Sequence, residues 1–490
     1  MNKTSRRILS SAIALAAALP ASAWATNGYF SHGWGTKSKA MAGVATALPQ
    51  DTLVSATNPA GMAFLGNSLD IGVAFFNPSP RGYEADNNYS TQPGPGGITL
   101  PAGPFVTPGR YDSDLDWFMI PSIGYNYEID DRSTIGVSIF GNGGMNTRYK
   151  DRPPFENFAL APNQRVGPYP DGSTGPYYDF SSGQPVPVTA PIPGTQNGNP
   201  NGVFTATTPT GIDLQQLFIE VPYTMKIGNG KQSIGIAPVF AVQGFKAEGL
   251  EPFRQLSVSP DKVTNNGRDW SYGAGLHLGW YGQIDDRLAL GASYRTTVWM
   301  TKLDDYAGLF ADDGAFDIPA MFNFGVAYKA QPNLTLAFDY QHIFYDEVHA
   351  IANSNDVDLT QCQTPGPKPS YCLGGQSGVG FGWESMDIFK LGVKYDANEK
   401  IGLFGGVSYN TDFLKTNKQG LFNVLAPATI RWHLTAGATY RHSDKDAFNL
   451  SFSYMPKETW DGSAPELTQT QTGSLYMEQM DIEISWSHHF

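Results

Sequence analysis

Past Leu19, no apolar run in this 490-residue chain is long enough to cross a bilayer as a helix, which takes about 20 residues, so a helical membrane protein is excluded. Charge is scarce too. Only 16% of residues are charged, and 45 acidic against 32 basic side chains leave a formal net charge of −13. Nucleic-acid binding depends on Lys and Arg neutralising phosphates, so that class of partner is excluded. There are two cysteines, Cys362 and Cys372, close together in a Pro/Gly-rich segment. In an exported chain a local disulfide is expected, with free thiols as the alternative. No nucleotide-binding motif is present, and no nucleophile, base and orienting group can be brought together, so neither an enzyme nor a cofactor is expected. His342, Asp346 and His349 lack the spacing of metal ligands. Asp304, Asp305, Asp312, Asp313 and Asp317 read as a solvated acidic loop, and no metal is expected.

Export is written at the N-terminus. Lys3, Arg6 and Arg7 precede the apolar run Ile8 to Leu19, then Pro20 and the small-residue site Ala23-Trp24-Ala25, so residues 1–25 read as a secretory signal peptide. The whole chain is rich in Gly (54) and in aromatics (13%), yet its mean hydropathy of −0.28 is that of a water-soluble protein. Strands with one apolar and one polar face average in this way.

Period-two alternation bounded by turn residues predicts strands near 68–77, 117–129, 133–147, 214–227, 232–244, 269–283 and 287–300. The second half adds 320–329, 333–347, 385–396, 400–411, 430–442, 446–456 and 476–490. Connections alternate between short turns, such as Asp130-Asp131-Arg132 and Gly228-Asn229-Gly230, and long loops. Fourteen strands joined in that alternation predict an all-β fold, an antiparallel transmembrane β-barrel with long external loops over 68–490. Phe448, Leu450, Phe452 and Tyr454 oppose Asn449, Ser451 and Ser453; Ile430 to Tyr440 alternate likewise, and the apolar sets are expected to face lipid. The chain ends inside a strand, at Ile482-Glu483-Ile484-Ser485-Trp486-Ser487-His488-His489-Phe490. A closed barrel has no edge, so this strand must pair with the first. The terminal Phe490 resembles the signal read by the barrel-assembly machinery; His488 departs from the apolar choice usual there.

Residues 26–67 are too irregular and Gly/Ala-rich for a strand and are expected to fold back as a small N-terminal hatch that plugs the lumen. Here the chain resembles the FadL/TodX family of outer-membrane transporters for hydrophobic compounds. The resemblance rests on Ser31-x-Gly33-x-Gly35, the small-residue run Ala40 to Ala47, and above all Asn58-Pro59-Ala60, with Trp270-Ser271-Tyr272-Gly273, Tyr294-Arg295 and Ile318-Pro319 following in order. The very long Pro/Gly-rich second loop, 148–213, and a short third loop depart from the family pattern. In the third strand, Gly141-Asn142-Gly143-Gly144 interrupts the alternation. Glycines there permit a bulge or kink. The resemblance implies that the kink opens the barrel wall as a lateral gate through which a greasy solute leaves into the membrane; a glycine-rich strand end that merely starts the loop is the alternative. Replacing Gly143 and Gly144 by Val is expected to close the opening and leave assembly intact. Pro222 and Pro238 mark an irregularity in neighbouring strands.

The function expected is passive uptake of long-chain fatty acids or hydrocarbons, caught by the apolar loop residues Leu250, Phe253, Leu256, Leu309 and Phe310. The expected surroundings are outer-membrane lipid and lipopolysaccharide, with the chain acting as a monomer. A general porin for polar solutes and a non-transporting adhesin are the alternative readings.

Overall fold

A computed structural model describes residues 26–490 apart from 90, 94–98, 102–104, 156–163, 166–177, 180–185, 188–208, 364–366, 415, 417, 419 and 464–470. The expected signal peptide, residues 1–25, and most of the second loop thus lie outside the described residues. Fourteen long antiparallel strands close on themselves. They are β1 (Ser68–Asn77), β2 (Phe118–Glu128), β3 (Ser133–Asn146), β4 (Gly211–Glu220, resuming as Tyr223–Ile227), β5 (Gln232–Glu248), β6 (Asp269–Gln283) and β7 (Leu288–Arg295). Then follow β8 (Met321–Gln331), β9 (Leu334–Ile343), β10 (Met386–Asp396), β11 (Ile401–Asn410), β12 (Trp432–Arg441), β13 (Asp446–Ser463) and β14 (Thr472–His489). β1 pairs with both β2 and β14, from Ser68 opposite His489 to Asn77 opposite Met480. The Phe490 amide donates to the Asn67 carbonyl at 3.0 Å. The last strand thereby completes the ring.

Short turns are set by local polar chemistry. Asp130 accepts from the amides of Arg132 and Ser133, at 2.8 and 2.7 Å, and these bonds hold its carboxyl below the usual carboxylate range. Asp285 does the same for Arg287 and Leu288.

Side chains alternate between lipid and lumen as the pleat requires. Phe448, Leu450, Phe452 and Tyr454 are exposed on the outside, whereas Asn449, Ser451 and Ser453 are buried within. Outward aromatics gather at both ends: Tyr127, Tyr328, Tyr395 and Tyr440 near the short turns, and Trp117, Trp270, Trp299 and Trp432 near the loops. Leu278, Phe324, Leu391, Leu450 and Ile484 lie between them. That is an apolar band with interfacial girdles.

Several boundaries differ from the sequence expectation, each for a local reason. β7 stops at Arg295; the Thr296 hydroxyl accepts from the Leu276 amide and breaks the ladder, and only Trp299–Met300 rejoin β6. β9 ends at Ile343, where Tyr345–Glu347 turn as a 3₁₀ helix. Ile430 is buried and does not face lipid, because β12 begins at Trp432. β13 and β14 run well past 456 and before 476, with a bulge between Met455 and Glu458. The two prolines explain the break in β4: Val221 donates to the Pro238 carbonyl at 3.1 Å and Gly136 to the Pro222 carbonyl at 2.9 Å, keeping the wall continuous where proline offers no N–H.

Candidate functional site

Residues 26–67 bond to inward-facing groups of nearly every strand. Asn58 caps the short 3₁₀ helix Pro59–Phe64: its Oδ1 accepts from the Ala60 amide at 3.1 Å, and Pro59 stands at the first helical position, where no N–H is needed. The other end of the same amide donates to the carbonyls of Thr46 (2.8 Å) and Trp280 (2.9 Å). One side chain therefore ties the helix, an earlier turn of the segment and β6 together. Glycines on the wall let the segment approach: a Cβ on Gly291 would lie 2.1 Å from the Thr46 carbonyl oxygen.

Acidic groups on the wall hold the segment's donors. Asp339 of β9 accepts from the amides of Ala45 and Thr46, both at 2.9 Å, and from the Thr46 hydroxyl at 2.7 Å. Asp70 of β1 accepts from the amide and hydroxyl of Thr52, both at 2.8 Å. Lys39 reverses the polarity, reaching Asp481 (3.2 Å) and Glu483 (2.8 Å) on β14. All these groups are buried, and such charges persist away from water because they are paired and hydrogen-bonded.

At the glycine-rich stretch of β3 the wall changes character. The β2–β3 ladder runs from Glu128 opposite Thr134 to Ile123 opposite Ile139 and then stops, although both strands continue. Beyond that point Phe118–Ser122 pair only with β1, and Phe140–Asn146 only with β4. The register to β4 slips between Gln216 and Leu217, leaving Asn142 as the extra residue of a bulge. Backbone groups that a regular neighbour would satisfy are taken by the N-terminal segment. The Gly144 amide donates to the Tyr29 carbonyl (2.9 Å), the Ser31 amide to the Asn142 carbonyl (3.0 Å), and Trp34 Nε1 to the Gly141 carbonyl (3.1 Å). Above the break the two sides meet again, through Arg148 with Asp114 and through Arg81, which bonds to Leu115 and Asn146. A Cβ on Gly143 would lie 1.9 Å from the Tyr29 carbonyl oxygen. A valine side chain at this position would meet the Tyr29 carbonyl, so the exchange bears on the seating of the N-terminal segment as well as on the strand.

Among the loops is an apolar pocket with about 350 Å³ of space not filled by atoms, part of it open to solvent. Leu309 and Phe310 line it together with Phe245, Phe381, Phe422 and Leu425, and among the described residues none that lines it carries a polar side chain. Leu250, Phe253 and Leu256 are buried in the adjoining cluster and do not line it; Phe253 packs its ring 5.4 Å from that of Phe422. Cys362 and Cys372 are joined by a disulfide, and Leu373 beside it is also in the lining. His342 pairs with Asp387 and His349 with Asp312, while Asp317 accepts from the Met300 amide. Among the described residues no group of His, Cys, Asp and Glu could hold a metal ion.

Behind the bulge gather groups to which the sequence analysis assigned no role. The Arg295 guanidinium, fully buried, lies over the rings of Phe218 (4.7 Å), Phe30 (5.3 Å) and Trp34 (5.8 Å) and donates to Asn142 Oδ1 at 3.1 Å. Strand parity is the one signal that could have found it, since Arg295 shares an inward face with Gly291 and Ser293. His488 is bound to Asp446 at 2.8 Å, and Trp486 donates to the same carboxylate, so the histidine in the last strand is held at the barrel end.

Residues 253–484 match the family described as outer membrane protein transport protein (OMPP1/FadL/TodX). No curated relative matches the chain. Among solved structures, the Pseudomonas putida toluene transporter TodX is 16% identical, with a TM-score of 0.59, over 94% of this chain and 99% of that one. The Ralstonia pickettii toluene transporter TbuX is 14% identical (TM-score 0.54) and a Pseudomonas aeruginosa FadL homologue 12% identical (TM-score 0.59), each over 94% of this chain and 99% of the other. At such identities the structures bear on the fold alone. The resemblance to the FadL/TodX family is borne out by the family match, and the barrel is one of the outer membrane.

Proposed function

We propose, from the premise that the chain is an outer-membrane barrel of the FadL/TodX kind, that it takes up hydrophobic compounds and releases them sideways through the wall. The observation that carries this reading is the β2–β3 ladder that ends at Ile123 and Ile139 while both strands run on. Residues 26–67 act as the hatch: they occupy the lumen, and Tyr29, Ser31 and Trp34 bond to the bulged stretch from inside. A solute held in the loop pocket passes into the upper lumen, the N-terminal stretch withdraws from Gly141–Gly144, and the solute leaves between β2 and β3.

The pocket favours an uncharged hydrocarbon over a fatty acid. A carboxylate drawn away from the open side and in among the apolar side chains is unpaired, which costs several kcal/mol or forces it to take up a proton. The toluene transporters among the structural relatives fit that choice.

Two measurements test the reading together. Cells lacking the chain should accumulate a neutral aromatic hydrocarbon from dilute solution several-fold more slowly than cells carrying it, and the purified barrel in planar bilayers should show no large steady ion conductance. Equal accumulation, or porin-like conductance steps, would remove the proposal.

A further inference from the structure

Four side-chain hydrogen bonds run head to tail behind the wall opening. Arg295 Nη2 donates to Asn142 Oδ1 (3.1 Å), Asn142 Nδ2 to Gln216 Oε1 (3.0 Å), Gln216 Nε2 to Gln243 Oε1 (2.7 Å), and Gln243 Nε2 to the Phe316 carbonyl (3.1 Å). Every donor points the same way, and all of these side chains are buried. The chain starts on β7, touches the bulge of β3, crosses β4 and β5, and ends on the segment before β8. Both termini are in contact with parts that matter. Phe316 packs against Phe310 at 4.9 Å, edge to face, and Phe310 lines the apolar pocket. Arg295 rests on Phe30 and Trp34 of the N-terminal segment.

We propose that Gln216 and Gln243 form a relay that couples the loop pocket to the wall opening, so that a solute lodged against Phe310 changes how firmly Asn142 holds the bulge and the N-terminal stretch behind it. The proposal rests on the uptake reading above. Its physical basis is directional. Each amide in the chain uses one end to accept and the other to donate, so rotating one member breaks two bonds and leaves buried polar atoms unpaired. Such a network has few intermediate arrangements. A displacement of the Phe316 carbonyl by a solute is then passed on as a rearrangement of the relay, which a compressible apolar filling would absorb. Arg295 supplies the branch: it binds Asn142 and also lies over the two aromatic rings that the hatch presents. Gln216 and Gln243 touch neither pocket nor solute in this account, and so they are positioning residues.

The test follows hydrogen exchange in the full-length protein, in wild type, Gln216→Met, Gln243→Met and the double variant, with folding checked by heat-modifiable gel mobility. Methionine keeps length and volume and removes the bonds. Without any ligand, exchange in peptides covering 27–34 and 140–146 should rise about tenfold in each single variant and no further in the double, because one break suffices to disable a series relay. Unchanged exchange in folded single variants, or increases that multiply in the double, would overturn the proposal. A second arm adds the neutral fluorophore N-phenyl-1-naphthylamine. Where it binds, it should change exchange at 140–146 at least threefold in wild type and not in Gln243→Met, with affinity altered less than twofold. An equal response in both proteins contradicts the coupling. Failure of wild type to bind the probe counts against the uptake reading instead, and the ligand-free arm still decides the relay.

Discussion

Asn58 uses both ends of its amide, and this accounts for its place between a proline and a row of small residues. Replacing it by Ala removes one cap and two donated bonds, a loss of about 1–3 kcal/mol in the seating of the N-terminal segment. Asn58→Asp keeps the cap acceptor but turns a buried carboxylate oxygen towards two carbonyl oxygens, so it should loosen the segment at least as much as Asn58→Ala. Hydrogen exchange over 45–62 measures this, and wild-type protection in Asn58→Ala would contradict it. A second residue sets the wall's tolerance. Gly291→Val puts a side chain where the Thr46 carbonyl stands, so the folded variant should conduct ions more than wild type in planar bilayers; unaltered conductance would show that the segment has room to move aside. The cap was legible in the sequence because its chemistry is local: Asn, Pro and a small residue in succession are a helix start wherever they occur. Asp70, Asp339, Gln216 and Gln243 were not legible, because each gains meaning from a partner that only barrel closure brings near. The loop residues divide for the same reason. Hydrophobicity marks all five as interior, yet only packing places Leu309 and Phe310 on the pocket and the other three behind it.

Strands were readable to within a few residues wherever alternation continued to a turn, as in β1 and β6, whose bounds coincide with those expected. They were misread where a side chain competes with the ladder, as Thr296 does in β7, or where the strand continues beyond the bilayer, as in β13 and β14. The glycine run in β3 announced an irregularity. That its inner side carries Tyr29, Phe30 and Ser31 could not be read, since their register with β3 depends on how the whole N-terminal segment is threaded. Deleting Thr26–Ala60 should leave a barrel that assembles, because the strands' backbone bonds are mostly among themselves, and the bared backbone of Gly141, Asn142 and Gly144 gains water in the emptied lumen, as do Asp70, Asp339, Asp481 and Glu483. Single-channel conductance should then rise from near closed to steady open steps. A folded but closed deletion protein would remove the hatch assignment.

At the scale of the whole molecule, the order of strands followed from the alternation of short and long connections, and their closure from a chain that ends in a strand. What the sequence left open was direction of travel, because an axial and a lateral path use the same lumen. The break in the β2–β3 ladder is what supports the proposed lateral path. Cysteines in place of Ile120 and Phe140, one on each lip of the break, can be bridged by a bifunctional maleimide, the native pair being already joined as a disulfide. Cellular uptake of a neutral aromatic hydrocarbon is then compared between the bridged protein and each singly modified variant, all shown to be assembled. The account predicts that bridging lowers uptake at least tenfold while binding of the probe to the purified protein persists; delivery by the bridged barrel at the rate of the singly modified ones would contradict lateral exit.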